Sequence, residues 1–275
     1  MTDRHTAAGM RYWTYGRGRR DTFLLVHGWC CDHRFMEPIA RHLAGRPARV
    51  IAVDMPGHGQ SPPPPEGYGV EQLAARLRAL AAELDLRRVV VIGHSLGGVW
   101  SLAAAAGDRD RFAGLVMLDS AVAGPPGAAA AIEEVARSLR DDTSGAAREA
   151  IVRSYFLPQS DPRLVEWVVS AMARPSTEVA YAPIAALAAY VGAGGDEAAL
   201  TRWDRPLLLV GSNAPFADYA RLARLAPQAN IGQAAGSGHF VQLEVPDQVN
   251  AMIDRHLELT GRPPTGGPAR AGQRE

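Results

Sequence analysis

Ser95 is the residue of this chain best placed to act as a nucleophile. It stands at the centre of Gly93-His94-Ser95-Leu96-Gly97-Gly98, between an apolar run that ends at Gly93 and an Ala/Leu-rich run that opens at Gly98. The G-x-S-x-G spacing in a strand–turn–helix setting has a physical rationale. A serine on so tight a turn carries a strained backbone, and the flanking glycines remove the Cβ atoms that would collide there. The turn lifts the hydroxyl above the strand ends. It also aims the backbone N–H of Leu96, at a helix start, toward any oxyanion formed at the serine. A serine hydroxyl at its ordinary pKa is a poor nucleophile, so a base must lie within hydrogen-bond reach.

Composition removes several other chemistries. All 29 basic residues are Arg, so Schiff bases, P-loop phosphate binding and lysine-assisted serine catalysis are excluded. The 29 acidic residues balance them, which argues against a nucleic-acid or acidic-membrane partner recruited by net charge. Cys30 and Cys31 are adjacent and ill-suited to a disulfide, and no Cys/His set has zinc spacing. Neither a metal nor a cofactor is expected.

These residues must be positioned by a regular scaffold, and the 275 residues are enough to bury one. Short apolar runs at Phe23–His27, Val50–Asp54, Val89–Gly93, Leu115–Asp119 and Leu207–Gly211 read as buried strands, each closing on Gly, Asp or His. Helical patterns at Val70–Leu86 and Gly98–Gly107 alternate with them, which predicts an α/β fold with a parallel sheet covered on both faces. Ligands of such sheets sit beyond the carboxyl ends of the strands. From Gly124 to Arg202 the alternation stops, and Ala-rich helical segments punctuated by Pro and Gly suggest a helical insertion over that edge. The expected organisation is a core over 10–123 and 203–260, a helical cap over 124–202 and a disordered tail over 261–275. The polar Met1–Arg20 segment has no signal-peptide run, and no stretch approaches the roughly 18 apolar residues of a membrane span, so a soluble cytoplasmic protein is expected.

The motifs together resemble the α/β-hydrolase fold superfamily, over most of residues 10–260. Beyond the Ser95 turn, His27-Gly28-Trp29 resembles the family's oxyanion loop, and Asp54-Met55-Pro56-Gly57-His58-Gly59-Gln60-Ser61 its D-x-P-G-x-G-x-S turn. Gly236-Ser237-Gly238-His239-Phe240 followed by Glu244-Val245-Pro246 resembles its catalytic-histidine loop. The resemblance implies an eight-stranded, mostly parallel sheet flanked by helices. It also implies His239 as the base and the backbone N–H of Trp29 as a second oxyanion donor opposite Leu96. His27 and His58 then brace their own turns, as does Asp54, and His94 packs beside Ser95. His33 has no clear role.

The third member departs from the family's usual pattern. The acid commonly follows the late strand in a turn resembling G-x-x-D, and here Gly211-Ser212-Asn213-Ala214 puts a methyl group in that place. Ala cannot orient an imidazole. Asp119, at the end of the earlier strand where some family members carry their acid, is the favoured substitute. Asp218, in a helical setting over Ala217–Leu225, is the alternative. With Ser95 as nucleophile the implied chemistry is acyl transfer through an acyl-enzyme, on a small-molecule ester or thioester, with lactone opening and C–C bond hydrolysis within reach of the same parts. Gly28-Trp29-Cys30-Cys31-Asp32-His33-Arg34 also resembles a segment of the cofactor-free 2,4-dioxygenases, which use a His/Asp pair. A ligand receptor with a defective triad is a third alternative. Of the inserted segment, Trp167, Met172, Tyr181, Tyr190 and Trp203 face either the pocket or the helices' own core, and core is favoured. Sequence does not set the substrate or the oligomeric state.

Overall fold

The computed structural model describes residues 3–18 and 20–262. In chain order these form β1 (Asp3–Ala7), β2 (Met10–Arg17), β3 (Asp21–Val26), α1 (Glu37–Ala44), β4 (Ala48–Val53), α2 (Val70–Glu83), β5 (Val89–His94), α3 (Leu96–Gly107) and β6 (Phe112–Leu118). Five helices follow: α4 (Ala128–Arg140), α5 (Ala146–Ser154), α6 (Pro162–Met172), α7 (Thr177–Gly192) and α8 (Gly195–Arg202). The chain then runs through β7 (Leu207–Gly211), α9 (Tyr219–Leu225), β8 (Ala229–Gln233), α10 (Val241–Glu244) and α11 (Pro246–Leu259). The expected tail falls, from residue 263, outside the described residues, while Gly261 and Arg262 are placed against the end of α11.

The eight strands make one sheet in the order β1-β2-β4-β3-β5-β6-β7-β8. β1 and β2 are antiparallel to their neighbours and all other pairings are parallel. Register explains why the central runs are apolar throughout. Ile51, Leu24, Val91, Leu115 and Leu207 are partners across five adjacent strands and pack into the core beneath α2 and α3. Their neighbours Ala52, Leu25, Ile92, Val116 and Leu208 pack on the opposite face against α1 and α11. Both faces are buried, so the period-2 alternation of a half-exposed strand is lost.

Three strands carry no such run. β1 and β2 are an antiparallel hairpin within the polar N-terminal segment, so the sheet begins before residue 10. β8 (ANIGQ) is the far edge strand and is partly exposed along its length. Edge strands bury too little to require an apolar sequence. Because the inner strands are parallel, His27, Asp54, Ser95, Asp119 and Ser212 all emerge at one edge of the sheet.

Buried histidines tie this edge together. His27 Nε2 accepts from the Met55 N–H at 2.9 Å, which leaves Nδ1 to donate to the Gly28 carbonyl at 2.8 Å. His58 Nδ1 donates to the Pro56 carbonyl at 3.0 Å. Burial pushes the pKa of His27 and His94 down, that of His58 to about 3, and that of His256 in α11 to about 4. The unfolded chain binds these protons near 6.5, whereas the native chain takes them up only at lower pH. The unfolded state therefore holds more protons below that value, and stability falls as pH drops. Urea unfolding at pH 7.5, 6.5 and 5.5 is expected to show constant stability down to the histidine range. Below it the loss is about 1.4 kcal/mol per pH unit for each histidine that stays neutral. His58→Asn is expected to shrink the slope by one proton; an unchanged slope would place the acid sensitivity elsewhere.

Candidate active site

Ser95 joins β5 to α3 with φ 54° and ψ −125°, a left-handed conformation that strains any residue with a Cβ. Its backbone is held on both sides. The Ser95 N–H donates to the Leu118 carbonyl of β6 at 2.8 Å, and its carbonyl accepts from the Gly98 N–H at 2.9 Å. The glycines are sterically required. A Cβ at Gly97 would overlap the carbonyls of Val26 and His27, and one at Gly93 would overlap the backbone of Gly97. Ser95 is half-buried and lines a cavity of about 300 Å³.

His239 lies in the loop between β8 and α10 and lines the same cavity. Its Nδ1 is 2.7 Å from Asp119 Oδ2, a contact between two almost fully buried side chains. With a carboxylate at Nδ1 the ring proton sits there, and Nε2 is the basic nitrogen. Backbone bonds hold the imidazole's own residue. The His239 N–H donates to the Tyr155 carbonyl at 2.8 Å, and the His239 carbonyl accepts from His94 Nε2 at 3.0 Å. Among the described residues no hydrogen bond joins Ser95 to His239; such contacts are often long without substrate.

Asp119 follows β6 at φ 41° and is 2% exposed. Its N–H donates to the Val210 carbonyl at 2.8 Å, and its second oxygen accepts from the Ser212 N–H at 3.0 Å. Both carboxylate oxygens are thus engaged by donors. Ala214 sits exposed in the turn after β7. Asp218 is the N-cap of α9, accepting from the Arg221 N–H at 2.9 Å, and among the described residues it makes no contact with His239.

Trp29 follows β3 and lines the cavity beside Ser95 and Leu96. Among the described residues neither the Trp29 nor the Leu96 N–H donates to another backbone carbonyl. The Trp29 indole points elsewhere, donating from Nε1 to the Ala180 carbonyl of α7 at 2.7 Å. Helices of the 124–202 segment supply most of the remaining wall. Ala128, Ala131, Ile132 and Val135 come from one face of α4, and Ile184, Leu187 and Val191 from one face of α7. The walls are apolar, and the polar groups gather at Ser95 and His239.

The other candidates separate cleanly. His33 donates from its N–H to Asp54 at 2.7 Å, has Nδ1 at 2.9 Å from the same oxygen, and stacks on Trp13; it does not line the cavity. Cys31 lines the cavity, but burial raises its pKa well above the ordinary thiol value and pushes Cys30 up to about 12, so neither is a thiolate. Of Trp167, Met172, Tyr181, Tyr190 and Trp203, Met172 alone lines the cavity. Trp167 packs on Phe35, Tyr181 lies under the Arg140 guanidinium, and Trp203 is buried. Motifs did not mark Tyr155 and Phe216, whose rings lie 4.6 and 4.9 Å from the His239 ring. No group of three His, Cys, Asp or Glu side chains among the described residues is placed to hold a metal ion. No helix among them is long and apolar enough to cross a membrane.

Comparison with known proteins agrees with this architecture. A dihydrolipoyllysine-residue acetyltransferase component of the acetoin cleaving system from Pseudomonas putida is 28% identical over 254 residues; the match takes in 89% of this chain and 65% of that relative's length. The AB hydrolase superfamily protein YisY of Bacillus subtilis is 27% identical over 251 residues, covering 86% of this chain and 91% of YisY. The crystal structure of the enol-lactonase from Burkholderia xenovorans LB400 superposes with a TM-score of 0.79 at 20% identity, over 93% of this chain and 100% of that one, a likeness of fold. The model of the alpha/beta hydrolase family matches residues 23–252, and the chain belongs to that family.

Proposed function

We propose that this protein is a serine hydrolase that cleaves a small-molecule ester or thioester, with lactones as a close variant, through an acyl-enzyme on Ser95. The reading rests above all on the buried Asp119–His239 contact of 2.7 Å in the wall of the cavity that also contains Ser95. His239 Nε2 takes the proton of the Ser95 hydroxyl as Oγ attacks the acyl carbon. Asp119 holds the imidazole in the tautomer that leaves Nε2 basic, and stabilises the imidazolium that follows. The Trp29 and Leu96 N–H groups receive the negative charge that develops on the carbonyl oxygen. His239 then protonates the leaving alcohol or thiol. Water, activated by the same imidazole, releases the acid and restores Ser95.

In this reading residues 124–202 are a cap, with α4 and α7 forming the acyl-binding wall, and residues 10–123 and 203–260 carry the catalytic parts. The wall presents no charged side chain, so the preferred substrates are uncharged and apolar next to the scissile carbonyl.

Treatment with a fluorophosphonate is expected to add a single adduct to the wild-type chain and none to Ser95→Ala, read by intact-mass spectrometry. An unlabelled wild type with a native thermal transition would sink acyl-enzyme chemistry, and oxygen-uptake assays would then take priority. On a short acyl ester, Asp119→Asn is expected to lower kcat by about 10⁴ while the fold is kept, because Asn favours the wrong imidazole tautomer. Asp218→Asn is expected to keep near-wild-type kcat, since it alters only the cap of α9. The reverse pattern would move the acid to Asp218.

A further inference from the structure

At the edge of the sheet opposite Ser95 a second cavity, of about 290 Å³, lies among the amino ends of β5, β6 and β7 and the end of α11. Arg88, Arg205 and Arg262 line it, together with His256. Arginines close by in sequence are paired. Arg87 meets Asp85 at 2.9 Å, Arg109 meets Asp204 at 3.0 Å and Arg111 meets Asp108 at 3.2 Å. Among the described residues none of the three cavity arginines has a carboxylate partner. Asp110, exposed, is the one acidic side chain in the lining, against three guanidinium groups.

The Nε of Arg205 is buried and has no hydrogen-bond partner, a state that native proteins rarely leave unfilled. The Arg262 guanidinium donates to the Arg88 carbonyl at 3.3 Å and lies against Gly114, where a Cβ would stand 3.4 Å from it. Burial, aided by Arg88 and opposed by Asp21, depresses the pKa of Arg262. His256 is neutral above its lowered pKa, and its Nδ1 faces the Asn230 amide at 2.9 Å, so its remaining proton sits on Nε2 as a donor.

We propose that this cavity binds a small multivalent oxyanion of the phosphate or phosphate-ester class. Guanidinium groups match phosphate oxygens in pairs, and against three guanidinium groups and Asp110 a singly charged carboxylate would still leave positive charge uncompensated. The volume admits a small molecule. The apolar walls of Val90, Pro206 and Leu257 suit a short organic substituent. The site is separate from the Ser95 cavity and stands whether or not the acyl-enzyme reading holds.

Thermal unfolding and titration calorimetry of the full chain, at fixed ionic strength, test it with inorganic phosphate, pyrophosphate, citrate and chloride as probes. A ligand that binds only the folded chain raises its Tm. Phosphate is expected to raise Tm over chloride and pyrophosphate to raise it further, with one saturable site by calorimetry. Arg205→Gln and Arg88→Gln are each expected to weaken pyrophosphate binding by about tenfold, the loss of one charge-assisted contact. Ser95→Ala is expected to respond as the wild type. Without ligand, both arginine variants are expected to unfold at or above the wild-type Tm, since removing one of several unpaired like charges relieves repulsion. A response equal for phosphate and chloride, or one that survives both substitutions, would overturn the site. Equal binding of citrate would overturn the phosphate class. A lowered Tm in exposed Arg88→Gln would show that the arginines serve the fold instead.

Discussion

The buried contact between Asp119 and His239 constrains more of this chain than any other. A carboxylate taken out of water is tolerable only when its oxygens are met by donors. Here one oxygen takes the His239 ring and the other takes the Ser212 N–H just beyond the end of β7. That requirement explains the positive φ of Asp119 and the hydrogen bond that pins its backbone to Val210. It also requires β6 and β7 to be neighbours, so that a residue leaving β6 can reach the turn after β7. The partner 120 residues away is equally restrained, by a carbonyl from Tyr155 and by the ring of His94.

In the proposed mechanism the same adjacency lets Asp119 take the part that the sequence resemblance assigns to the position of Ala214. Asp119 and the vacant position lie at the carboxyl ends of adjacent parallel strands, and an imidazole above them can be reached from either. Asp218 was a plausible competitor in sequence because it lies in the right region. Its spacing to the following helix, with the carboxylate accepting from the third N–H, is an N-cap pattern, and the structure uses it so.

What sequence revealed and what it hid have physical causes. The Ser95 turn and the His239 loop were legible because each needs glycine at a position where a Cβ collides with backbone, and the Asp54 turn because Gly57 and Gly59 take positive φ and a Cβ there would strike the side chains of Tyr68 and Asp54. The five inner strands were legible because burial on both faces demands an unbroken apolar run. β1 and β8 escaped notice because edge strands bury too little to leave that mark, and β2 because its buried Met10, Tyr12 and Trp13 are interrupted by the half-buried Arg11 and Thr14. Tyr155 escaped for another reason. It holds His239 through its backbone carbonyl, a group that every residue possesses, and its ring was one aromatic among several in an Ala-rich stretch. The indole of Trp29 likewise belongs to a motif residue, yet its hydrogen bond to α7 could not be inferred without knowing where the insertion lies.

Those backbone contacts bear on how the inserted helices relate to the rest. Hydrogen bonds tie the 124–202 segment to the loops around the cavity, among them Trp29 Nε1 to the Ala180 carbonyl, the His239 N–H to the Tyr155 carbonyl, and Ser160 Oγ to Glu244 at 2.6 Å. A rigid swing of the whole segment would break these together and leave buried groups such as the Trp29 indole N–H unpaired, each buried group at a cost of about 1–3 kcal/mol. It would also free the His239 loop from one of its restraints. The cavity wall built by α4 and α7 is therefore a preformed surface rather than a loose cover. The basic cavity at the other edge has the opposite character. Arg262 there donates to a backbone carbonyl, the buried Arg205 Nε has no partner, and among the described residues none of the three arginines is ion-paired, so that end of the sheet keeps a net positive charge while the Asp119 end satisfies its charge internally.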